Sequence, residues 1–175
     1  MIVFGLTGWS GSGKTTLLVQ LVERLCALGL AVSTVKHAHH AFDVDKPGKD
    51  SHRHRVAGAR EVMVASANRW ALMHELRGAD EPTLDALIEH MTPVDLLLVE
   101  GFKQARHDKL EIWRAGQDEP MRAPGDPSIV AVATDAPETV APLVGVPVLE
   151  LDDVAAIAGF ILDHCGLTPA RQASA

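Results

Sequence analysis

A three-layer α/β fold, mostly parallel in its sheet and carrying an inserted β-hairpin, is what this 175-residue chain predicts. Three observations predict it: short apolar runs of strand length, helical stripes between them, and a glycine-rich turn joining the first strand to the first helix. Ile2–Thr7 is an apolar run suited to a strand buried on both faces. From Thr15 to Leu28 the period becomes helical, with Leu17, Leu18, Leu21, Val22, Leu25 and Cys26 on one stripe and Gly29 placed to end the helix. Ala31–Lys36 is a second strand, and the resulting strand–helix–strand unit implies parallel strands with a right-handed crossover.

Ala41–Lys49, with Pro47-Gly48, is a loop, and Asp50 or Ser51 is placed to cap a short helix running toward Gly58. Glu61–Ser66 and Arg69–Glu75 form a hairpin about Ala67-Asn68. Pro82–Met91 is helical, Val94–Val99 a strongly apolar strand, and Lys109–Arg114 an alternating strand with one exposed face. Gly116–Pro127 is a surface loop, followed by strands at Ile129–Ala133 and Val146–Leu149 and a closing helix at Asp152–His164. One domain over 1–165, with the hairpin inserted at about 61–76, and a flexible tail over 166–175 complete the expected organisation.

Composition narrows the function classes. Hydrophobic residues make up 47% and charged residues 22%, close to globular averages, so wholesale disorder is excluded. The longest apolar runs fall far short of the ~20 residues that span a bilayer, so no membrane role is expected. Lys14, Thr15 and Thr16 interrupt the start where a signal peptide needs an apolar core, which points to a cytoplasmic protein. Cys26 and Cys165 are too few for a disulfide scaffold and are read as structural. The net charge of −7 argues against nucleic acid as a partner. Residues 1–60 nevertheless carry eight Lys/Arg against four Asp/Glu, and five of the nine histidines fall between Lys36 and Arg60. Such a segment suits a small anionic ligand or, more simply, a solvated face.

Gly8-Trp9-Ser10-Gly11-Ser12-Gly13-Lys14-Thr15 fits the phosphate-binding pattern G-x-x-x-x-G-K-[ST], with a strand before it and an amphipathic helix after it. Glycines let the backbone turn sharply and aim successive N–H groups at phosphate oxygens, and the helix start adds its positive dipole end. Lys14 is placed for the β- and γ-phosphates, and the Thr15 hydroxyl for Mg²⁺. A second acid for the metal is sought at a strand's carboxyl end, because ligands of open parallel sheets sit there. Asp95 lies about 16 Å behind Glu100 at ~3.3 Å per residue, so Glu100 is the metal candidate. Gly101 beside it permits close backbone approach. Thr134-Asp135 follows a strand, so Asp135 either accepts from guanine N1 and N2 or caps the helix starting near Pro137.

His37, His39, His40, His52 and His54 raise three readings: phosphate contact, metal binding, or loop surface. Asp43 and Asp45 are candidates for the magnesium shell or for local turn bonding. A small-molecule kinase and a metal-delivery GTPase using the histidines are the alternative functions that these residues leave open.

The run Lys36-His37-Ala38-His39-His40, the stretch Phe42–Ser51 and Ala57-Gly58-Ala59 resemble the MobB family of molybdopterin-guanine dinucleotide biosynthesis. Arg69-Trp70-Ala71-Leu72 and Leu98-Val99-Glu100-Gly101-Phe102-Lys103 follow the same pattern in the same order. The resemblance covers roughly residues 2–165 and implies a P-loop GTPase fold that binds GTP and Mg²⁺. It also implies a homodimer formed by joining sheets, and an adaptor with weak intrinsic GTPase activity working beside the guanylyltransferase that attaches GMP to molybdopterin. By matching position, Gly11, Gly13, Lys14, Thr15 and Thr16 would hold phosphates and metal, Glu100 would take the magnesium role, and Asp135 falls where the family contacts guanine; Gly8, Ser10 and Ser12 of the same turn are further cofactor-binding candidates. Lys14 and Glu100 are the residues on which hydrolysis rests. Asp45 and Lys49 belong to a responsive loop facing cofactor or partner. No second base or arginine finger is evident beyond Arg53, Arg55 or Arg60 supplied across a dimer, which fits slow turnover.

Overall fold

The computed structural model describes residues 1–38 and 42–169. His39, His40, the Ala41 start of the expected loop, and residues 170–175 of the expected tail therefore lie outside the described residues. The chain forms two compact units, Met1–His37 with Met91–Ala175, and Ala38–His90 between them.

The first unit is a six-stranded parallel sheet built from β1 (Ile2–Thr7), β2 (Val32–Lys36), β5 (Leu96–Glu100), β6 (Lys109–Trp113), β7 (Ile129–Thr134) and β8 (Val148–Glu150), in the order β2-β5-β1-β6-β7-β8. β3 and β4 belong to the other unit. Because all six strands run the same way, the segments that leave β1, β2, β5, β6 and β7 emerge at one edge. Register places Lys36 of β2 and Leu6 of β1 beside Glu100 of β5.

The α/β fold class expected from the sequence is the one observed. Helix α1 (Lys14–Ala27) and helix α5 (Val154–His164) touch each other on one face of the sheet. Their Leu17, Leu21, Leu25, Ile157, Ala158 and Ile161 share a core with Phe4, Leu6, Leu96, Leu98, Leu110 and Ile112. A period of two on the strands thus meets a period of 3.6 on the helices, and each fully buried Leu or Ile contributes about 1.5–3 kcal/mol. Asp153 caps α5 by accepting from Ala156 N–H at 2.9 Å, and Gly29, at φ +86°, ends the turn after α1. Cys26, expected on the buried stripe, is exposed. It stands one residue past Leu25 and so about 100° around the helix from the centre of the stripe.

A second correction concerns β6. Its alternation of Lys109, Leu110, Glu111 and Ile112 suggested an exposed face, yet all four are buried. β6 is an interior strand, and its polar side chains anchor the loops that cover it. The Glu111 carboxylate accepts from Arg122 N–H at 2.8 Å and from Ala123 N–H at 2.8 Å. Lys109 donates to the Ala105 carbonyl and, at 2.7 Å, to the Ser128 hydroxyl. Burial pushes the Glu111 carboxyl above the ordinary carboxylate range, against the pull of the two amides.

The second unit holds helix α2 (Asp50–Val56), the antiparallel hairpin β3 (Glu61–Ala65) and β4 (Trp70–His74), and helix α3 (Leu84–Ile88). Neither Asp50 nor Ser51 caps α2: its N-cap is Lys49, and Asp50 lies in the first turn. Ser66 closes the hairpin turn by donating to the Arg69 carbonyl and accepting from the Asn68 and Arg69 amides. Thr83 caps α3, which is shorter than the span expected from Pro82 to Met91. Helix α4 (Pro137–Val140) and a 3-10 turn (Ala141–Leu143) link β7 to β8 in the first unit.

Removing the Glu111 carboxylate strands the Arg122 and Ala123 amides. Glu111→Ala is expected to lower stability by about 2 kcal/mol, read as a lower urea midpoint with little change in slope.

Candidate functional site

The glycine-rich turn lies between β1 and α1, where the sequence puts it. Gly8, Gly11 and Gly13 take φ of +144°, +80° and +101°, values that side-chain-bearing residues rarely adopt. At Gly8 space is also closed, since a Cβ would meet the Ile112 carbonyl oxygen at 2.4 Å and the Ser12 Oγ at 2.9 Å. The chain closes on itself through Ser12 N–H to the Trp9 carbonyl at 3.3 Å. Lys14 Nζ donates to that same carbonyl at 2.6 Å. Burial lowers Lys14 below the ordinary lysine range; Glu100 opposes this, and the Lys103 and Lys36 ammoniums reinforce it. Ser10, Thr15 and Thr16 are exposed, and Ser12 is buried.

Glu100 ends β5 beside the first turn of α1. Thr15 Oγ1 donates to Glu100 Oε1 at 2.9 Å, and Lys36 Nζ stands 3.5 Å from the same oxygen. Asp95, at the opposite end of the strand, accepts from Ala31 N–H at 2.8 Å and takes no part. The geometric choice of Glu100 over Asp95 thus agrees with where the strand puts each side chain. Gly101, at φ +97°, brings the backbone against His37, whose Cβ would lie 2.7 Å from any Cβ added there. Two hard oxygens beside the glycine-rich turn are a donor set of the kind Mg²⁺ takes alongside phosphate. Among the described residues the buried hydroxyls of Thr7 and Ser12 have no hydrogen-bond partner, as befits a cradle built for a further polar group. The residues fit a magnesium–phosphate group.

Asp135 follows β7 at the same edge of the sheet. Its carboxylate accepts from Ala115 N–H at 2.8 Å and from the Arg114 guanidinium at 3.2 Å, and these hold it below the ordinary carboxylate range. It does not cap α4; Thr134 Oγ1 takes the Ala136 N–H instead. Arg114 also donates to the Ser12 carbonyl at 3.1 Å, tying the Asp135 corner to the glycine-rich turn.

Sequence reasoning did not single out Trp9, Lys103, Arg114 or Arg122. The Trp9 ring has Lys103 Nζ at 5.2 Å and Arg122 Cζ at 5.1 Å from its centroid, and its Nε1 donates to the Pro120 carbonyl at 2.9 Å. These cation–π contacts, each about 0.5–1 kcal/mol when exposed, fasten two loops to the turn. Arg114 directly follows β6 at the strand ends' ligand edge, a signal that was present in the strand order but not in any motif.

Asp45 and Lys49 lie in the second unit. The Asp45 side chain is 3% exposed and is held by Arg55 at 2.8 Å, with Asp43 on the same guanidinium at 2.8 Å and Glu75 at 3.6 Å. Arg55 is thereby committed within its own unit. Lys49 stands at the start of α2, and its carbonyl accepts from Arg53 N–H. His52 accepts from Gly48 N–H at 3.4 Å, and the His37 ring lies 4.8 Å from that of Phe102. Among the described residues no three His, Cys, Asp or Glu side chains are grouped to hold a metal ion.

Comparison with known proteins converges on one family. The family model described as molybdopterin guanine dinucleotide synthesis protein B, MobB, matches residues 3–135. A molybdopterin-guanine dinucleotide biosynthesis adapter protein of Escherichia coli is 42% identical over 164 residues, covering 92% of this chain and 91% of that one. The Haemophilus influenzae protein of the same description is 44% identical over 138 residues, covering 77% and 75%. Among solved structures, Bacillus subtilis MobB superposes with a TM-score of 0.74 at 26% identity, covering 97% of this chain and all of its own (100%). A MobB homologue from Bacillus stearothermophilus gives 0.69 at 26% identity, covering 95% and 99%.

The Arg55 hydrogen bond is the main cause of Asp45's lowered pKa. A carboxylate with a depressed folded-state pKa stabilises above its unfolded pKa and loses that contribution as pH falls through the folded value. The stability gap between wild type and Asp45→Asn, followed by urea unfolding, is therefore expected to be full at neutral pH and to shrink below about pH 4.

Proposed function

This chain belongs to the MobB family, whose place is that of an adapter in molybdopterin-guanine dinucleotide biosynthesis, and from that membership we propose that it works as a Mg²⁺·GTP-binding adapter. Its partner in this reading is the guanylyltransferase that joins GMP to molybdopterin, and its setting is the cytoplasm; no helix among the described residues is long and apolar enough to cross a membrane. The observation that carries the reading is the meeting, on one glycine-rich turn, of Lys14 with the Thr15–Glu100 oxygen pair.

The chemistry divides among this chain's residues. Backbone amides of the turn would donate to phosphate oxygens, apart from that of Ser12, which is bonded to the Trp9 carbonyl, and the start of α1 adds its positive end. Lys14 exchanges the Trp9 carbonyl for phosphate oxygens, a better partner because both members are then charged. The Thr15 hydroxyl and the Glu100 carboxylate would hold magnesium, which would supply positive charge against the phosphates when bound. Asp135, a carboxylate at the same edge of the sheet, is the group that would accept from guanine N1 and N2. Gly8–Thr16, Glu100 and Asp135 all stand in the first unit. No additional base is needed for an adapter, and slow hydrolysis is what a site resting on Lys14 and Glu100 supports. The homodimer and molybdopterin contact belong to the same proposal, with Asp45 and Lys49 on the segment that meets cofactor or partner.

Titration with fluorescent nucleotides tests the site. GTP is expected to bind well ahead of ATP, and Lys14→Ala to lose most of the affinity while keeping its melting temperature; a clear preference for ATP would remove the guanine assignment. Immobilised protein is expected to retain the molybdopterin guanylyltransferase, and failure to do so would remove the adapter partnership.

A further inference from the structure

Lys36 has a place that neither the motif nor the family description assigns. It ends β2, directly opposite Glu100 in the parallel pairing. Its ammonium stands 3.5 Å from Glu100 Oε1 and 3.4 Å from Thr15 Oγ1, between the two oxygens suited to a divalent cation. The Glu100 side chain is 10% exposed, whereas that of Lys36 is 59% exposed, so Lys36 can swing away without losing a buried position.

We propose that Lys36 is a second phosphate-binding lysine, specific for the terminal phosphate of a nucleoside triphosphate. The inference rests on the nucleotide reading above and deepens it. With no metal at Thr15 and Glu100, the Lys36 ammonium supplies the positive charge that the carboxylate requires. With a divalent cation held by those oxygens, like-charge repulsion would turn the Lys36 ammonium away from them. The displaced ammonium stays on the same side of the turn, tethered to the strand end beside Glu100, where the nearest new anion is the end of the polyphosphate chain. A triphosphate places a multiply charged terminal group there; a diphosphate ends one phosphate earlier. Lys14, placed for the β- as well as the γ-phosphate, keeps a partner in either nucleotide, so Lys36 discriminates by chain length and not by base. An ordinary cross-strand ion pair is the competing explanation, and it affects folding alone.

The test measures GTP and GDP affinities with Mg²⁺ present, by calorimetry on the full chain, for wild type, Lys36→Met and Lys36→Arg, with thermal melting as the folding check. A lost charge-assisted contact is expected to weaken GTP about tenfold or more in Lys36→Met while GDP changes less than about twofold. Lys36→Arg is expected to keep the preference for GTP, since the charge is retained. An unchanged GTP-to-GDP affinity ratio in a folded Lys36→Met variant overturns the assignment of Lys36 and leaves the nucleotide reading standing. Wild-type protein that binds neither nucleotide overturns both. Should Lys36→Met melt before it can be titrated, Lys36→Gln takes its place, and the same ratio decides.

Discussion

At Gly8 the backbone passes so near the Ile112 carbonyl that hydrogen is the largest side chain it can carry. That approach fixes where β1 ends and how the following residues curl, because the turn rests on β6 and not in open solvent. From it follow the inward closure onto the Trp9 carbonyl, the start of α1 at Lys14, and the position of Thr15 one residue later. Parallel order supplies the rest of the frame: β5 neighbours β1, so its last residue, Glu100, arrives at the same edge as the turn. A sheet with another strand order would leave the same two motifs far apart.

Charge is distributed around this frame with a purpose that burial makes visible. Lys14, Lys36 and Lys103 gather near a single carboxylate, Glu100, leaving local positive charge that an anion can satisfy. Cations this close together disfavour one another, and partial burial adds to the cost. The internal bonds from Lys14 to the Trp9 carbonyl and from Lys36 to Glu100 relieve part of it.

The loops beside the turn are held by unusual means. Over β6 the second face of the sheet is covered by chain that is strapped to Glu111 and Lys109, two charged side chains buried beneath it. The same loop delivers Arg122 and the Pro120 carbonyl to Trp9, while Lys103 comes from the segment after Glu100. Indole, guanidinium and ammonium therefore connect the glycine-rich turn to surface loops, and Arg114 connects it to Asp135. A change at the turn has mechanical routes outward.

Much of this was legible in the residues themselves. The glycine spacing predicted the tight turn between β1 and α1, and placing Glu100 rather than Asp95 beside that turn needed only strand direction. The resemblance of Phe42–Ser51 and Leu98–Lys103 to the MobB family is carried by the matched residues, and the matching family model agrees. Tertiary structure decided what periodicity misreports. A strand alternating charged and apolar residues looks half-exposed, but β6 lies between β1 and β7 and its charges are bonded inside. Cys26 continued a stripe on paper and left it on the helix. Lys36 and Arg114 gained their places only when strands distant in sequence were laid side by side, since proximity across a sheet is a property of the pairing and no local run of residues encodes it.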